Sequence, residues 1–169
     1  VLFRSELTLE MAYDELKNIG GKQYPVWIYN LATVLVPAGF APLFGGGILE
    51  TAAAAFVGAV LALVVTVGKR LQINGFILDT LSSFGLAVAA AFLKRFCPGL
   101  DEDIVIISAI MPMVPGVAIT NAVRDTLQGD YISGGARILE AFLKAAAVAL
   151  GVGAAMALTG LMYPGGGSL

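Results

Sequence analysis

Five long apolar runs constrain this 169-residue chain more than any other feature of its sequence. Each is close to the ~20 residues that an α-helix needs to cross ~30 Å of hydrocarbon. The runs cover residues 26–44, 48–68, 75–93, 104–123 and 138–162. Composition agrees, because 58% of the residues are hydrophobic and only 13% are charged, against roughly 25% in soluble domains. The sequence therefore predicts an all-α integral membrane protein with five transmembrane helices in the lipid bilayer.

The residue types that are missing exclude several kinds of function. The chain has no histidine, which excludes histidine-based acid–base catalysis, an HExxH metal site and histidine ligation of haem. A single cysteine, Cys97, cannot form an internal disulfide. The net charge is -2 and the sequence has no strong basic patch, so we expect no nucleic-acid partner. We expect no enzymatic activity, no metal and no cofactor.

Both ends of the chain are expected to lie outside a membrane domain that covers residues 25–163. Residues 1–5 match one reading frame of a common sequencing adapter, and we expect them to be a read artefact. Residues 6–24 contain a short amphipathic helix at 9–19 that is too polar and too short to span, and we expect it in the cytoplasm or against the membrane surface. A glycine-rich tail covers 164–169.

The charges between the apolar runs predict the orientation of the chain. With five spans, the side of the N-terminus holds six cations, whereas the opposite side holds only Lys94 and Arg95, beside three acidic residues. The six are Lys17, Lys22, Lys69, Arg70, Arg124 and Arg137. The positive-inside rule then puts the N-terminus in the cytoplasm and the C-terminus outside. An odd span number would insert a homologous second half upside down, which is the inverted-repeat plan of many transporters.

Small residues recur every fourth position in three of the runs. They are Ala54, Gly58 and Ala62, then Gly85 and Ala89, then Ala147, Gly151 and Ala155. Small side chains at this spacing let helix backbones approach closely in lipid. We expect the stripes to pack within the chain, and the alternative is a face for homo-oligomerisation.

The fourth run contains two prolines and a glycine near its midpoint, Pro112, Pro115 and Gly116. Each proline removes a backbone donor and clashes with the carbonyl one turn back, so we predict a broken helix. Breaks at membrane depth are tolerated only where protein or a water-filled cavity satisfies the freed groups. A new half-helix beginning near Gly116 would direct backbone amides at a substrate carboxylate. A simple kink that shapes packing is the alternative at this point.

A polar cluster follows the break and continues to the fifth run. Its members are Thr120, Asn121, Arg124, Asp125, Asp130, Ser133 and Arg137. One interpretation is a substrate vestibule or gate, in which an arginine holds a carboxylate in bidentate fashion. The other is an ion-paired loop, with Arg124 or Arg137 bridging Asp125 or Asp130, which is worth ~0–1 kcal/mol when exposed. Glycines at 129 and 134–135 predict a flexible connection.

Ionisable residues inside apolar runs are candidates for function. Asp79 lies about one turn inside the third run, and we predict that it relays protons. Glu50 and Glu140 are expected to be structural or interfacial. Lys144 follows Glu140 by four residues, so the two can pair on one helix face.

Several of these motifs together resemble the threonine/serine exporter family. They are the acidic triplet at 101–103, Met-Pro-Met-Val-Pro-Gly at 111–116, Thr-Asn-Ala-Val-Arg-Asp at 120–125, Gly-Asp-Tyr-Ile-Ser-Gly-Gly-Ala-Arg at 129–137, the Phe-Gly-Gly-Gly turn at 44–47 and the helix at 9–19. The resemblance implies an exporter of ten spans in two five-span halves, fused or separate, of which this chain is the first. It therefore implies a second five-span half as partner, and an amino acid or small carboxylate as substrate.

Three functions remain open at this point. The first is a proton-driven exporter of threonine and serine, with Pro115, Gly116, Thr120 and Asn121 at the substrate. The second is an exporter of dicarboxylates such as succinate by the same fold, which needs a further cation from Arg124 or Arg137. The third is a membrane scaffold without transport.

Overall fold

The structure is a computed structural model that describes residues 25–162 of the chain. Within that range it contains six α-helices and one 3-10 turn, and no strand. In chain order these are α1 (Val26–Leu43), α2 (Ile48–Arg70), α3 (Gly75–Phe96), α4 (Glu102–Ile110), the 3-10 turn (Met111–Met113), α5 (Gly116–Leu127) and α6 (Tyr131–Met162). The helix expected at 9–19 and the tail at 164–169 lie outside the described residues.

Four of the helices, α1, α2, α3 and α6, are long and apolar enough to cross a membrane. The pair α4 and α5 passes the same test only when the two are taken together, and they meet at a bend of 51°. The predicted all-α membrane architecture is confirmed with four to five apolar spans. At a rise of 1.5 Å per residue, the 32 residues of α6 extend about 48 Å, so this helix is longer than the hydrocarbon core is thick.

The largest difference from the sequence prediction is at the start of α6. This helix begins at Tyr131 and not at 138, and the flexible connection expected through 134–135 is wrong because both glycines lie inside the helix. The carboxylate of Asp130 accepts a hydrogen bond from the amide of Ser133 at 3.1 Å, which caps the first turn. Only residues 128–130 separate α5 from α6.

The helices assemble around α2, α3 and α4. Helices α1 and α2 form an antiparallel pair, and α3 packs against α2 and, most extensively, against α6. Helix α4 lies against α1, α2 and α3, whereas α5 packs mainly on α6. The buried core takes residues from α2, α3, α4 and α6, among them Leu61, Leu86, Val105 and Val148.

Glycines bring two of these helix pairs into close contact. A Cβ atom on Gly58 of α2 would lie 3.0 Å from the carbonyl oxygen of Thr33 and 3.0 Å from the Pro37 ring of α1. A Cβ on Gly151 of α6 would collide with the carbonyl oxygen of Thr80 in α3. Small residues at these positions therefore serve packing within the chain, as the spacing predicted.

The alternating helix directions give the bundle two ends. The Glu50 end contains the turn at 45–47 and the link at 97–101. The Asp125 end contains the link at 71–74 and the α5–α6 connection at 128–130.

Candidate functional site

The break between α4 and α5 leaves backbone groups without helical partners. Helix α4 ends at Ile110, and the amide of Gly116 donates back to the carbonyl of Val114 at 2.8 Å in a tight turn around Pro115. Pro115 is the N-cap of α5 and supplies no side-chain hydrogen bond. The amides that follow Gly116 in the first turn of α5 therefore have no helical acceptor, and such a helix start attracts anions.

An apolar groove of about 520 Å³ lies between the break and α6. It is lined by Ile110, Met113, Val114, Pro115 and Ile119 on one side, and by Ile138, Ala141, Phe142, Ala145, Val148 and Ala149 of α6 on the other. Of the predicted site residues, only Pro115 lines this groove. Its walls carry no polar side chain, so the groove alone does not suit an amino acid.

Asp125 is the centre of a charged cluster that joins α5 to α6. Its Oδ2 lies 2.8 Å from Nε of Arg137 in α6, and its Oδ1 lies 3.8 Å from Nη2 of Arg124. The Asp125 side chain is only 13% exposed, whereas Arg137 is 46% and Arg124 is 65% exposed. The structure thus contains the bridge from Arg137 to Asp125 that the sequence allowed, with a second guanidinium more loosely attached.

Asp130 and Ser133 were also predicted as site residues. In the structure they contact each other at the start of α6. Ser133 donates its amide and its hydroxyl to the Asp130 carboxylate, and these hydrogen bonds lower the pKa of Asp130 from its ordinary value. Gly129, at φ +87, makes the preceding turn in a conformation that favours glycine. The geometry therefore gives Asp130 a capping contact.

Thr120 and Asn121 lie on α5 between the break and the charged cluster. The hydroxyl of Thr120 donates to the carbonyl of Gly116 in its own helix at 3.0 Å, and its side chain is exposed. Asn121 is half-buried one turn before Asp125, so the two share a face of α5. Asn121 therefore shares the face of Asp125 and does not line the groove at the break.

Asp79 is a second, separate acidic position. It is half-buried in α3, and the cations whose charges act on it are Lys144 of α6 and Lys69 at the end of α2. The pair expected between Glu140 and Lys144 is absent from the ion pairs of residues 25–162. One turn beyond Asp79, the hydroxyl of Ser82 is fully buried and has no hydrogen-bond partner in the described part of the chain.

One face of α6 connects the two acidic positions. Arg137 and Lys144 are seven residues apart, which places them on the same face about 10 Å from each other along the helix. Arg137 contacts Asp125, and Lys144 acts on Asp79. Sequence reasoning missed the role of Lys144 because it considered only the neighbour at four residues, although the seven-residue spacing from Arg137 was visible.

Among residues 25–162, no group of three His, Cys, Asp or Glu side chains is placed to hold a metal ion. Searches among curated proteins and among solved structures each found no match. A family model described as threonine/serine exporter, ThrE, matches residues 2–159 and so spans nearly the whole chain, including the break and both charged positions. The family match covers most of the chain, and the apolar helices agree with it. The chain therefore belongs to the threonine/serine exporter family.

Proposed function

We propose that this chain is one half of a secondary transporter that exports threonine and serine across the inner membrane, driven by the proton gradient. The observation that carries the proposal is the ion pair of Arg137 with Asp125 at 2.8 Å, together with the half-buried Asp79 in an apolar helix, in a chain of an exporter family. Ionisable side chains in apolar helices are costly, and paired ones are typical of ion and substrate pathways.

The proposed topology has five spans, with α4 and α5 crossing as one bent span. The Asp125 end is then cytoplasmic, together with the N-terminus. Among the described residues this end carries Lys69, Arg70, Arg124 and Arg137, which supports the orientation under the positive-inside rule. A second five-span half, in a separate chain or a further part of the same protein, completes the transporter.

In the proposed mechanism, Arg137 exchanges its partner Asp125 for the substrate carboxylate, with the exposed Arg124 nearby. The amides after Gly116 lie about 13 Å away along α5, so they form a separate position for an anionic group. Asn121 and Thr120 provide hydrogen-bonding groups for the ammonium and hydroxyl of threonine or serine. Asp79 relays the proton, and Lys144 compensates its charge when the proton has left.

The test is efflux from cells that produce the chain together with its complementary half. Cells are preloaded with threonine, serine and succinate in parallel and assayed with and without a protonophore. We expect protonophore-sensitive efflux of the two amino acids, and loss of that efflux in Asp79→Asn. Asp103→Asn, which changes an exposed acid at the Glu50 end, is the matched control and should retain efflux. Full activity of Asp79→Asn with normal membrane insertion would remove Asp79 from the mechanism.

A dicarboxylate such as succinate is the second candidate substrate. The observation that favours it is the convergence of two guanidinium groups on Asp125, because a dianion needs a second cation. Arg137→Gln should then reduce succinate efflux more than threonine efflux, and equal reductions would argue against it. Efflux of none of the three compounds, with both halves in the membrane, would favour a scaffold.

A further inference from the structure

A second groove, of about 550 Å³, lies on the outer surface between α1 and α2. Its walls include Trp27 and Leu31 of α1 and Leu63 and Val67 of α2, whose side chains are 65%, 49%, 64% and 46% exposed. Within the described part of the chain, no helix covers these four apolar side chains. We call this feature the α1–α2 groove.

The groove exists because small residues alternate with large ones on α2. Ala59 and Ala62 form its floor, while Leu63 and Val67 rise beside them. Just below, Gly58 holds the two helices in direct contact, so the groove is a shallow surface channel. The lining of α2 from Ala59 to Val67 covers about 12 Å along the helix axis.

Polar and cationic groups gather at one end of this apolar channel. The hydroxyl of Thr66 donates to Oδ1 of Asn30 at 3.0 Å, which leaves the amide nitrogen of Asn30 as a donor. Arg70 follows Thr66 by one turn, so it continues the groove-facing side of α2. Nζ of Lys69 lies 4.5 Å from the centre of the Tyr29 ring.

The two cations at this end form no close ion pair in the described part of the chain, although the charge of Lys69 also acts on Asp79. None of the three ion pairs among residues 25–162 includes Lys69 or Arg70. Trp27, an aromatic residue typical of the membrane–water interface, stands at the same level on α1. An apolar channel that opens onto Arg70, Lys69 and an interfacial tryptophan complements a molecule with a hydrocarbon chain and an anionic head.

We propose that the α1–α2 groove binds an anionic phospholipid from the leaflet at the Asp125 end. The acyl chain lies over Ala59 and Ala62, and the phosphate contacts Arg70, with Lys69 and the amide of Asn30 beside it. The channel is shallow, open on its outer side and about 12 Å long, so an extended acyl chain fits along its floor.

The chain contains a natural reporter for this site, because Trp27 is its single tryptophan. We would reconstitute the full chain in phosphatidylcholine vesicles and titrate in phosphatidylglycerol with brominated acyl chains, which quench tryptophan fluorescence on contact. Brominated phosphatidylcholine is titrated in parallel. We expect phosphatidylglycerol to bind about fivefold more tightly per cation engaged, as for basic residues at an anionic membrane surface.

Two pairs of variants test the site against general membrane electrostatics. Arg70→Gln should lower the preference for phosphatidylglycerol about fivefold, whereas Arg95→Gln, which removes a cation from the Glu50 end, should leave it unchanged. Ala59→Phe should fill the channel and reduce quenching by both lipids, whereas Ala52→Phe, on an exposed position of the same helix outside the groove, should not. Equal effects of Arg70→Gln and Arg95→Gln, or equal quenching by the two lipids in the unmodified chain, would overturn the proposal. Failure of both lipids to quench Trp27 would also overturn it and assign the groove to a protein partner.

Discussion

Each end of the bundle holds a carboxylate that joins two elements, but the donors differ. At the Glu50 end, Glu50 accepts hydrogen bonds from the backbone amides of Gly47 at 2.7 Å and Asp101 at 3.3 Å. At the Asp125 end, Asp125 is held by the side chain of Arg137. A backbone amide leaves only if its turn unfolds, whereas an arginine leaves by rotating about its own bonds. The Glu50 end is therefore built to stay closed, and the Asp125 end to exchange partners.

Other contacts at the Glu50 end support this comparison. Asp101 caps α4 by accepting from the amides of Asp103 and Ile104, and Lys94 pairs with Glu102 across the link at 3.7 Å. The amide of Gly46 donates to the carbonyl of Ala41 at 2.9 Å, which closes the turn at 45–47. Most of these bonds join residues close in sequence.

The largest expected effect that distinguishes the two ends is on transport. Asp125→Asn removes the charge that holds Arg137, and we expect efflux to fall about 10- to 100-fold, equivalent to ~1.4–2.7 kcal/mol in the transport barrier. Glu50→Gln should leave the efflux rate per folded molecule unchanged and lower the unfolding midpoint. The measurement is efflux normalised to the amount of folded protein in the membrane.

The comparison between the ends would fail if Glu50→Gln reduced normalised efflux as much as Asp125→Asn did. Glu140→Gln is a suitable control, because this exposed carboxylate on α6 makes no ion pair in the described part of the chain. It should leave both efflux and the unfolding midpoint unchanged.

The next effect is on stability and concerns one glycine at each end. A Cβ on Gly46 would lie 2.9 Å from the carbonyl oxygen of Ala41, and one on Gly134 would lie 3.1 Å from that of Ala122. We expect Gly46→Ala and Gly134→Ala each to lower the free energy of unfolding by about 1–3 kcal/mol, as overpacking does. Denaturant unfolding in mixed micelles measures this.

Neighbouring glycines provide matched controls for these two substitutions. Gly99 at the Glu50 end and Gly135 in α6 have open space where a Cβ would be added. Gly99→Ala should be neutral, and Gly135→Ala should stabilise α6 by up to about 1 kcal/mol through helix propensity. If the control substitutions lowered the free energy of unfolding as much as Gly46→Ala does, the close contact of the added Cβ would not be the cause of the destabilisation.

Much of the fold was predictable because bilayer crossing imposes a length and a composition. The runs at 26–44, 48–68 and 75–93 became helices with nearly the expected bounds. The start of α6 was not predictable from apolar periodicity, since 131–137 is polar and contains two glycines. Its helicity depends on the cap from Asp130 and on the contact of Gly134 with α5, and the second of these is tertiary.

The sequence predicted most residues of the candidate site but not which of them contact each other. The sequence identified Asp79, Asp125 and Arg137 as ionisable groups near apolar helices. It left open which arginine would bridge which acid, because the bridge from Arg137 to Asp125 depends on how α5 packs on α6. For the same reason it named only Glu140 as a neighbour that Lys144 can pair with, whereas in the structure the charge of Lys144 acts on Asp79.

A smaller effect concerns the strength of the ion pair between Arg137 and Asp125. We expect a double-mutant cycle of Asp125→Asn and Arg137→Gln to give a coupling free energy of unfolding of at most about 1 kcal/mol, because half-exposed ion pairs contribute little. Such a value would leave the pair able to exchange partners during transport. A coupling above about 3 kcal/mol, the range for breaking buried pairs, would mean that the Asp125 end is as fixed as the Glu50 end.

The smallest effect is a pH dependence at the Asp125 end. Because the hydrogen bonds from Ser133 lower the pKa of Asp130 in the folded state, they contribute stability above the ordinary pKa of an aspartate. That contribution is lost as the pH falls through the folded-state pKa, where the carboxylate takes up a proton. Asp130→Asn keeps an N-cap side chain that does not titrate, so its unfolding midpoint should fall less between neutral and acidic pH. Ser133→Ala keeps the amide and removes the hydroxyl, and should lie between the two. If the unfolding midpoints of the unmodified chain, Asp130→Asn and Ser133→Ala fell equally with pH, protonation of Asp130 would not be the cause of the acid destabilisation. The loss would then come from carboxylates elsewhere in the chain.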